Sequence, residues 1–368
     1  MQFSLSRTTF QALPGWEEDD PSSLFAVMAR CLQHMREVKP YRTGALGVPS
    51  AALEAIFAEA SSQPATAQEA RSFFETRFQP MRITPTGGAA GLVTAFYEPD
   101  VEVSATPDDV WRFPFYRRPG DLTDIDDANR PTGWDPSYAF GRRTEETIEF
   151  YPDRQAIDAG ALGGMGLEIA WARSRVDVFF AHVQGAARLR YSDGTLRRIT
   201  YAAKAGHPFT GIGGHLRDIG ELPADGVSMQ SIRHWLDEHP ERQDEILWQN
   251  RSYIFFREAS VDDAELGPIA AAKVALEPMR SIAVDRLIHT FGSPFYIVSD
   301  SLTHLTEGRP FQRLMMALDT GTAITGPARA DIFTGSGEAA GNLAGTVKND
   351  AAFHILVPKT VADDLDAQ

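Results

Sequence analysis

The amino-acid sequence predicts a mainly β chain with some α, divided into two domains, and three observations carry that expectation. Its 368 residues exceed the ~100–200 of a usual domain, so the chain buries an ample core without disulfides or metals. From about residue 90 onward, short segments rich in β-branched, aromatic and large apolar residues alternate with Gly, Pro and Asp punctuation. Ahead of them, apolar residues recur at three- and four-residue spacing, the period of an amphipathic helix.

Residues 1–80 read as helical on that period, with LFAVMARCLQHM and AALEAIFAEA as the two clear stretches and the serines of PSSLF and VPSAALEAIF offered as caps. The single cysteine, Cys31, falls within the first stretch. It cannot form an intramolecular disulfide and is expected to pack as a small buried side chain. After the turn signal TPTGGAAG, the segments GLVTAFYEPDVEV, FPFYRRPG, VDVFFAHVQG and AARLRYSDGTLRRITY read as short strands. A helical interlude spans 228–250, where Arg233 and Trp235 are expected to pack and cap. Strands return in SYIFFRE, RSIAVD, SPFYIVSD, QRLMMALD and HILVPK, making the last third a compact β unit. The acidic end ADDLDAQ is expected to fray.

Charge and motifs exclude several functions. A net charge of −15 and a pI near 5.1 argue against nucleic acid, whose binders present a basic stripe that releases counterions. The nine histidines show no metal-ligand spacing, so neither metal nor other cofactor is expected. GIGG at 211–214 lacks the strand and the Lys-Ser/Thr ending of a phosphate loop, and no G-x-S-x-G elbow occurs. No apolar run approaches the ~20 residues of a membrane span. MQFSLSRTTF has no basic-then-apolar export pattern, so either the start has been trimmed or export depends on residues outside this sequence.

The densest group of reactive side chains is LMMALDTGTAITGPARADIFTGSG, where two strand-like segments deliver Asp319 and Asp331 beside glycine-rich turns. Their spacing lets one strand end, turn and bring the second alongside, so that both carboxylates face one cleft. Paired carboxyls, one protonated and one ionised, suit the cleavage of sugar bonds. The structural alternative is that aspartates in such turns bond their own backbone. The DTG of ALDTGTA also matches the active-site turn of an aspartic protease. That enzyme needs a second such turn, and SDGT at 192–195 lacks the central hydroxyl residue, so only a dimer could supply it.

Read together, these segments resemble the membrane-bound lytic murein transglycosylase A (MltA) family from about residue 85 to 358. VTAFYEP resembles its first-domain signature, and FPFYRRP, GALGGMGLEIAW, HVQG, YAAKAGHPF and SMQSIRHW resemble its middle segments. RSIAVD, MALDTGTAITG and RADIFTGSGEAAG resemble its C-terminal three-aspartate (3D) module. By that resemblance Asp285, Asp319 and Asp331 are the name-giving aspartates, and Asp331 stands at the essential acid. The chain departs from the pattern at Ala186, Ala187, Ala205, Thr322 and Thr325.

The resemblance implies a double-psi β-barrel built from 1–100 and 249–368, with N-terminal helices within 20–80 and the 3D module at about 267–358. A second β domain would be inserted at 101–248, with a substrate groove between the two. It implies cleavage of peptidoglycan glycan strands without water, giving 1,6-anhydro ends, with Asp331 acting as acid then base and Asp319 beside it. Thr94, Tyr97, Glu98, Gln184, Gly185 and Asp285 are the expected substrate contacts, although an aspartate after a strand, as in AVDRLI, also suits a loop-fastening role. Lys204 and His207 are weaker candidates. Burial and the like charge of Asp319 are expected to raise Asp331's pKa. Arg329 is expected to point at Asp285, glycan or solvent, since a direct pair with Asp331 would oppose the acid. The expected setting is the periplasm and the expected state a monomer. Outer-membrane association would require an N-terminal lipid anchor, and no cysteine precedes residue 31. The alternatives are a glycan-binding relative without turnover and the dimeric protease.

Overall fold

The eleven-residue strand Lys348–Pro358 organises the first half of the architecture. Its early residues pair antiparallel with Gly91–Thr94, and its later ones with both Pro294–Ser299 and Phe78–Pro85. That double use closes six strands into a ring, in the order Gly91–Glu98, Arg329–Ser336, Ser281–Ala283, Phe311–Asp319, Pro294–Ser299, Lys348–Pro358. Ring closure removes the open edges that would otherwise offer unpaired backbone groups to another chain. Phe78–Pro85 and Phe3–Arg7 extend the sheet outward from the ring.

This computed structural model describes residues 3–60, 64, 66–223, 225–261 and 263–366. Cα packing divides the chain into one unit of Met1–Tyr97, Val261–Gly335 and Ala339–Gln368, and a second of Glu98–Ser260 with Ser336–Glu338. In the first unit, helix Leu24–Glu37 turns Leu24, Val27, Met28, Cys31 and Met35 inward, the three- and four-residue spacing of a buried helical face. Phe57 and Phe74 from the next two helices join Phe295, Phe311 and Phe333 from the ring in one core. Each such ring buried is worth roughly 1.5–3 kcal/mol.

Several expectations are corrected here. Phe3–Arg7 is a strand, not helix, because its partner Phe78–Pro85 offers a sheet edge that local propensity does not reveal. Ser23 and Ser50 make no side-chain cap; Thr66 does, accepting from the Glu69 N–H to start helix Ala67–Arg77. The acidic end is docked through residue 366 rather than frayed: Ala362–Asp366 is a short helix with Leu365 buried. Residues 367 and 368 of that segment lie outside the described residues.

The second unit is built on a six-stranded sheet in the order Ile254–Glu258, Leu196–Lys204, Ala186–Tyr191, Asp100–Ser104, Glu168–Ala172, Phe113–Tyr116, its edges joined by one bridge between Arg117 and Phe256. The segment VDVFFAHVQG, expected as a strand, is helix Arg175–Gln184. Ser174 caps it by accepting from the Asp177 N–H, and Gly185 ends it at φ 75°. The Ser-x-x-Asp spacing is a helix-start signal that here prevails over the strand preference of the Val and Phe run. Within 228–250, Arg233 bonds Asp177 and lies over Phe180, while Trp235 stacks on His239.

Candidate active site

Ser281–Ala283 is three residues long and lies between the two aspartate strands. Ala283 pairs with Asp319 on its parallel neighbour and with Asp331 on its antiparallel neighbour. The aspartate strands are therefore not adjacent, as the sequence spacing had suggested; the chain between them crosses a third strand. Laterally matched residues face the same side of a sheet, so both carboxyls share a face with their Cα atoms about two strand spacings, roughly 10 Å, apart.

Asp319 ends its strand and is half-buried. Its Oδ1 accepts the Ala271 N–H at 3.1 Å. Burial raises its carboxyl to about 6, with the like charge of Asp331 adding to the rise and the Thr320 and Ala271 N–H groups and Lys273 opposing it. Such a group carries its proton through mildly acidic pH.

Asp331 lies one strand from Thr94. Contacts between residues 92 and 328, 94 and 331, and 96 and 334 climb both strands together, so these two run parallel. The Thr94 hydroxyl donates to Asp331 Oδ1, and Arg329 Nη2 donates to Thr94 Oγ at 2.7 Å. A guanidinium has donors only. Thr94 must therefore accept from Arg329, and its single proton goes to Asp331. Arg329 was expected at Asp285, glycan or solvent and instead stands behind Thr94; its other nitrogen Nη1 donates to the Ala330 carbonyl. Burial raises the Asp331 carboxyl above its ordinary value, while the Thr94 hydrogen bond and the charge of Arg329 hold back that rise.

The other expected contacts fall in different places. Asp285 fastens loops: Oδ1 accepts the Leu287 N–H at 3.0 Å and Oδ2 the Gly326 N–H at 2.9 Å, where φ of 106° favours glycine. Tyr97 is buried on the opposite face of its strand from Thr94, against Gly341, where an added Cβ would come within 2.7 Å of the ring. Glu98, in the second unit, is fully buried. It accepts from the Ser336 hydroxyl at 2.6 Å and pairs with Arg198 at 3.3 Å, and burial raises its carboxyl. Gln184 and Gly185 close helix Arg175–Gln184 and are half-buried. The His207 ring is buried with Nε2 on the Tyr151 carbonyl at 2.6 Å. The sequence reading missed the Arg329–Thr94 relay and the turn around Ala271, because nothing local marks which strands become neighbours.

Two family models match: the MltA specific insert domain over residues 92–257 and the 3D domain over 280–357. Membrane-bound lytic murein transglycosylase A of Escherichia coli K12 is 33% identical over 256 residues, 68% of this chain. The matched segment spans 61% of that relative's length. The structure of E. coli MltA with bound chitohexaose matches at 26% identity and TM-score 0.68, covering 97% of this chain and 94% of that one. The crystal structure of a membrane-bound lytic murein transglycosylase from Agrobacterium tumefaciens matches at TM-score 0.93 and 60% identity, covering 98% of this chain and 99% of the other. With such likeness along nearly its whole length, and both domain models matched in order, the chain belongs to the MltA family, with its 3D domain.

Proposed function

We propose that the chain is a lytic transglycosylase that cleaves the MurNAc–GlcNAc β-1,4 bond of peptidoglycan and leaves 1,6-anhydroMurNAc ends. The observation that carries the reading is the half-buried Asp331 carboxyl, raised by burial and, among the described residues, hydrogen-bonded at Oδ1 alone, by Thr94. With Oδ1 taken by the Thr94 proton, the acid proton resides on Oδ2. From there it passes to the bridging oxygen as the C1–O4 bond breaks and positive charge develops at the muramoyl C1. The resulting carboxylate takes the proton of the C6 hydroxyl as O6 bonds to C1, which restores the acid and consumes no water. Asp319 contributes negative charge to that face as it ionises near pH 6.

Support for a glycan substrate comes from the E. coli relative solved with chitohexaose, a chain of the same sugar type as alternate units of peptidoglycan. Gln184 offers an amide for acetamido groups, and Gly185, whose N–H and carbonyl are engaged by Ala181 and Tyr201, presents no side chain to hinder their approach. Thr94 and Asp285 act by orienting the acid and its loops, and the buried Tyr97 and Glu98 support the strand they share. Relatives with this name are called membrane-bound, and we place the action in the periplasm, at the cell-wall polymer.

The test compares purified peptidoglycan incubated with wild type and with Asp331→Asn, with released muropeptides analysed by mass spectrometry. Anhydro products from wild type alone are expected. Reducing-end products would refute the lyase, and absence of products with the protein still sedimenting on the polymer would leave a glycan-binding protein.

A further inference from the structure

The second unit contains a cleft of about 370 Å³ that involves none of the residues assigned above. Its floor comes from the end strand Phe113–Tyr116 of the six-stranded order and its antiparallel neighbour Glu168–Ala172, with Pro114 opposite Trp171 and Tyr116 opposite Glu168. The register shifts between Phe115 and Tyr116, a bulge of the kind that re-aims side chains. Arg175, the first residue of its helix, and Asp158 close the sides. Gln184 ends that same helix, about 13 Å along its axis from Arg175, so the cleft lies at the far end from the proposed glycan contacts.

The walls carry opposite charges left open to a ligand. Among the described residues the Glu168 carboxylate has no hydrogen bond or ion pair, and Arg112 has no carboxylate partner, its guanidinium lying 5.2 Å from the Phe113 ring centroid. Asp158 accepts from Trp248 Nε1 at 3.0 Å and sits 4.0 Å from Arg175. Burial raises its carboxyl. The buried Tyr116 hydroxyl is pushed up to about 12, by burial first and then by the nearby charges of Glu168 and Asp158. The cleft thus offers the open Glu168 carboxylate and the Arg112 guanidinium, with the half-buried Trp171 as an apolar wall, while Asp158 is held against Arg175, whose guanidinium lies 5.1 Å from the same Phe113 ring.

A solute that satisfies both open groups needs an ammonium for Glu168 and a carboxylate for Arg112, joined by a short apolar stem. The volume holds about a dozen waters, which is the size of one or two amino-acid residues. Peptidoglycan strands carry short peptides, and a diamino acid at the end of such a peptide holds its α-carboxylate and its side-chain ammonium apart by a stem of methylenes. We propose that this cleft binds the zwitterionic end of a peptidoglycan stem peptide, so that the second unit reads the peptide while the acid acts on the sugar. The source of this ligand, though not the chemistry of the cleft, rests on the function proposed above.

The probe is the tripeptide L-Ala–γ-D-Glu–meso-diaminopimelate, titrated calorimetrically into the full chain. Saturable binding is expected, weakened about tenfold or more by Glu168→Gln and by Arg112→Met, as loss of a charge-assisted bond implies. Cleavage of peptide-free glycan by the same variants should match wild type, while KM for peptide-bearing strands rises. Wild type that fails to take up the tripeptide at millimolar concentration overturns the proposal, and so does binding that neither variant weakens. Because the titration does not require turnover, tripeptide binding without anhydro products would refute the lyase and leave the cleft assignment standing.

Discussion

Replacing Thr94 with Val removes one hydroxyl at nearly constant volume and tests how the acid is tuned. The Thr94 proton rests on Asp331 Oδ1 and stabilises the ionised form, so its loss should raise the Asp331 pKa further. Hydrogen bonds to charged groups contribute about 1.5–3 kcal/mol, which corresponds to about 1–2 pH units. The first step needs protonated Asp331. The alkaline limb of the kcat/KM profile for anhydro-muropeptide release should therefore move up by about 1–2 pH units, and Thr94→Ser should restore it. A limb that stays in place would refute the relay. A limb that moves down would mean that Arg329, having lost its acceptor at 2.7 Å, closes directly on Asp331, and Thr94→Val with Arg329→Met should then reverse the movement.

Asp319 makes stability depend on pH. Its folded carboxyl is raised from 3.8 to about 6, so the native state keeps a proton that the unfolded chain gives up. The stability this confers is complete below about pH 4 and is lost as pH rises through 6, a difference of about 3 kcal/mol. Urea titrations at pH 4 and 7 should show this loss in wild type and not in Asp319→Asn; equal pH responses would refute the assignment. Glu98→Ala breaks a buried pair whose side chains are 0% and 8% exposed. It should destabilise the second unit by about 3–5 kcal/mol, read by calorimetric unfolding, with Glu98→Gln milder because it keeps the Ser336 bond; an unchanged transition would count against the pair. The buried Cys31 thiol is pushed up to about 12 by burial, so iodoacetamide at pH 8 should label it only after unfolding. Rapid labelling of the native protein would place it at the surface.

Much of the architecture was legible where pattern and burial coincide. The hairpin around SDGT formed as strands 186–191 and 196–204, because two alternating runs flank a turn that glycine permits at φ 86°. Helix Leu24–Glu37 and the strand segments of the last third followed their periods. Failures came where the environment outweighed composition. The Val- and Phe-rich run at 176–183 reads as strand, yet it packs as a helix whose inward face is Val176, Val178, Phe179 and Phe180. Phe3–Arg7 became a strand only because an edge was available to it.

By itself the sequence determined the two-domain β character, the family, and the aspartates we propose for the chemistry, since these depend on residue type and local order along the chain. Only the tertiary structure decided that Ala283 separates Asp319 from Asp331, that Thr94 stands between Arg329 and the acid, and that Asp285 serves the loops. Strand neighbours are chosen by ring closure across more than two hundred residues, and a carboxyl's proton affinity is set by what those neighbours exclude or donate. Neither is written in the spacing between one residue and the next.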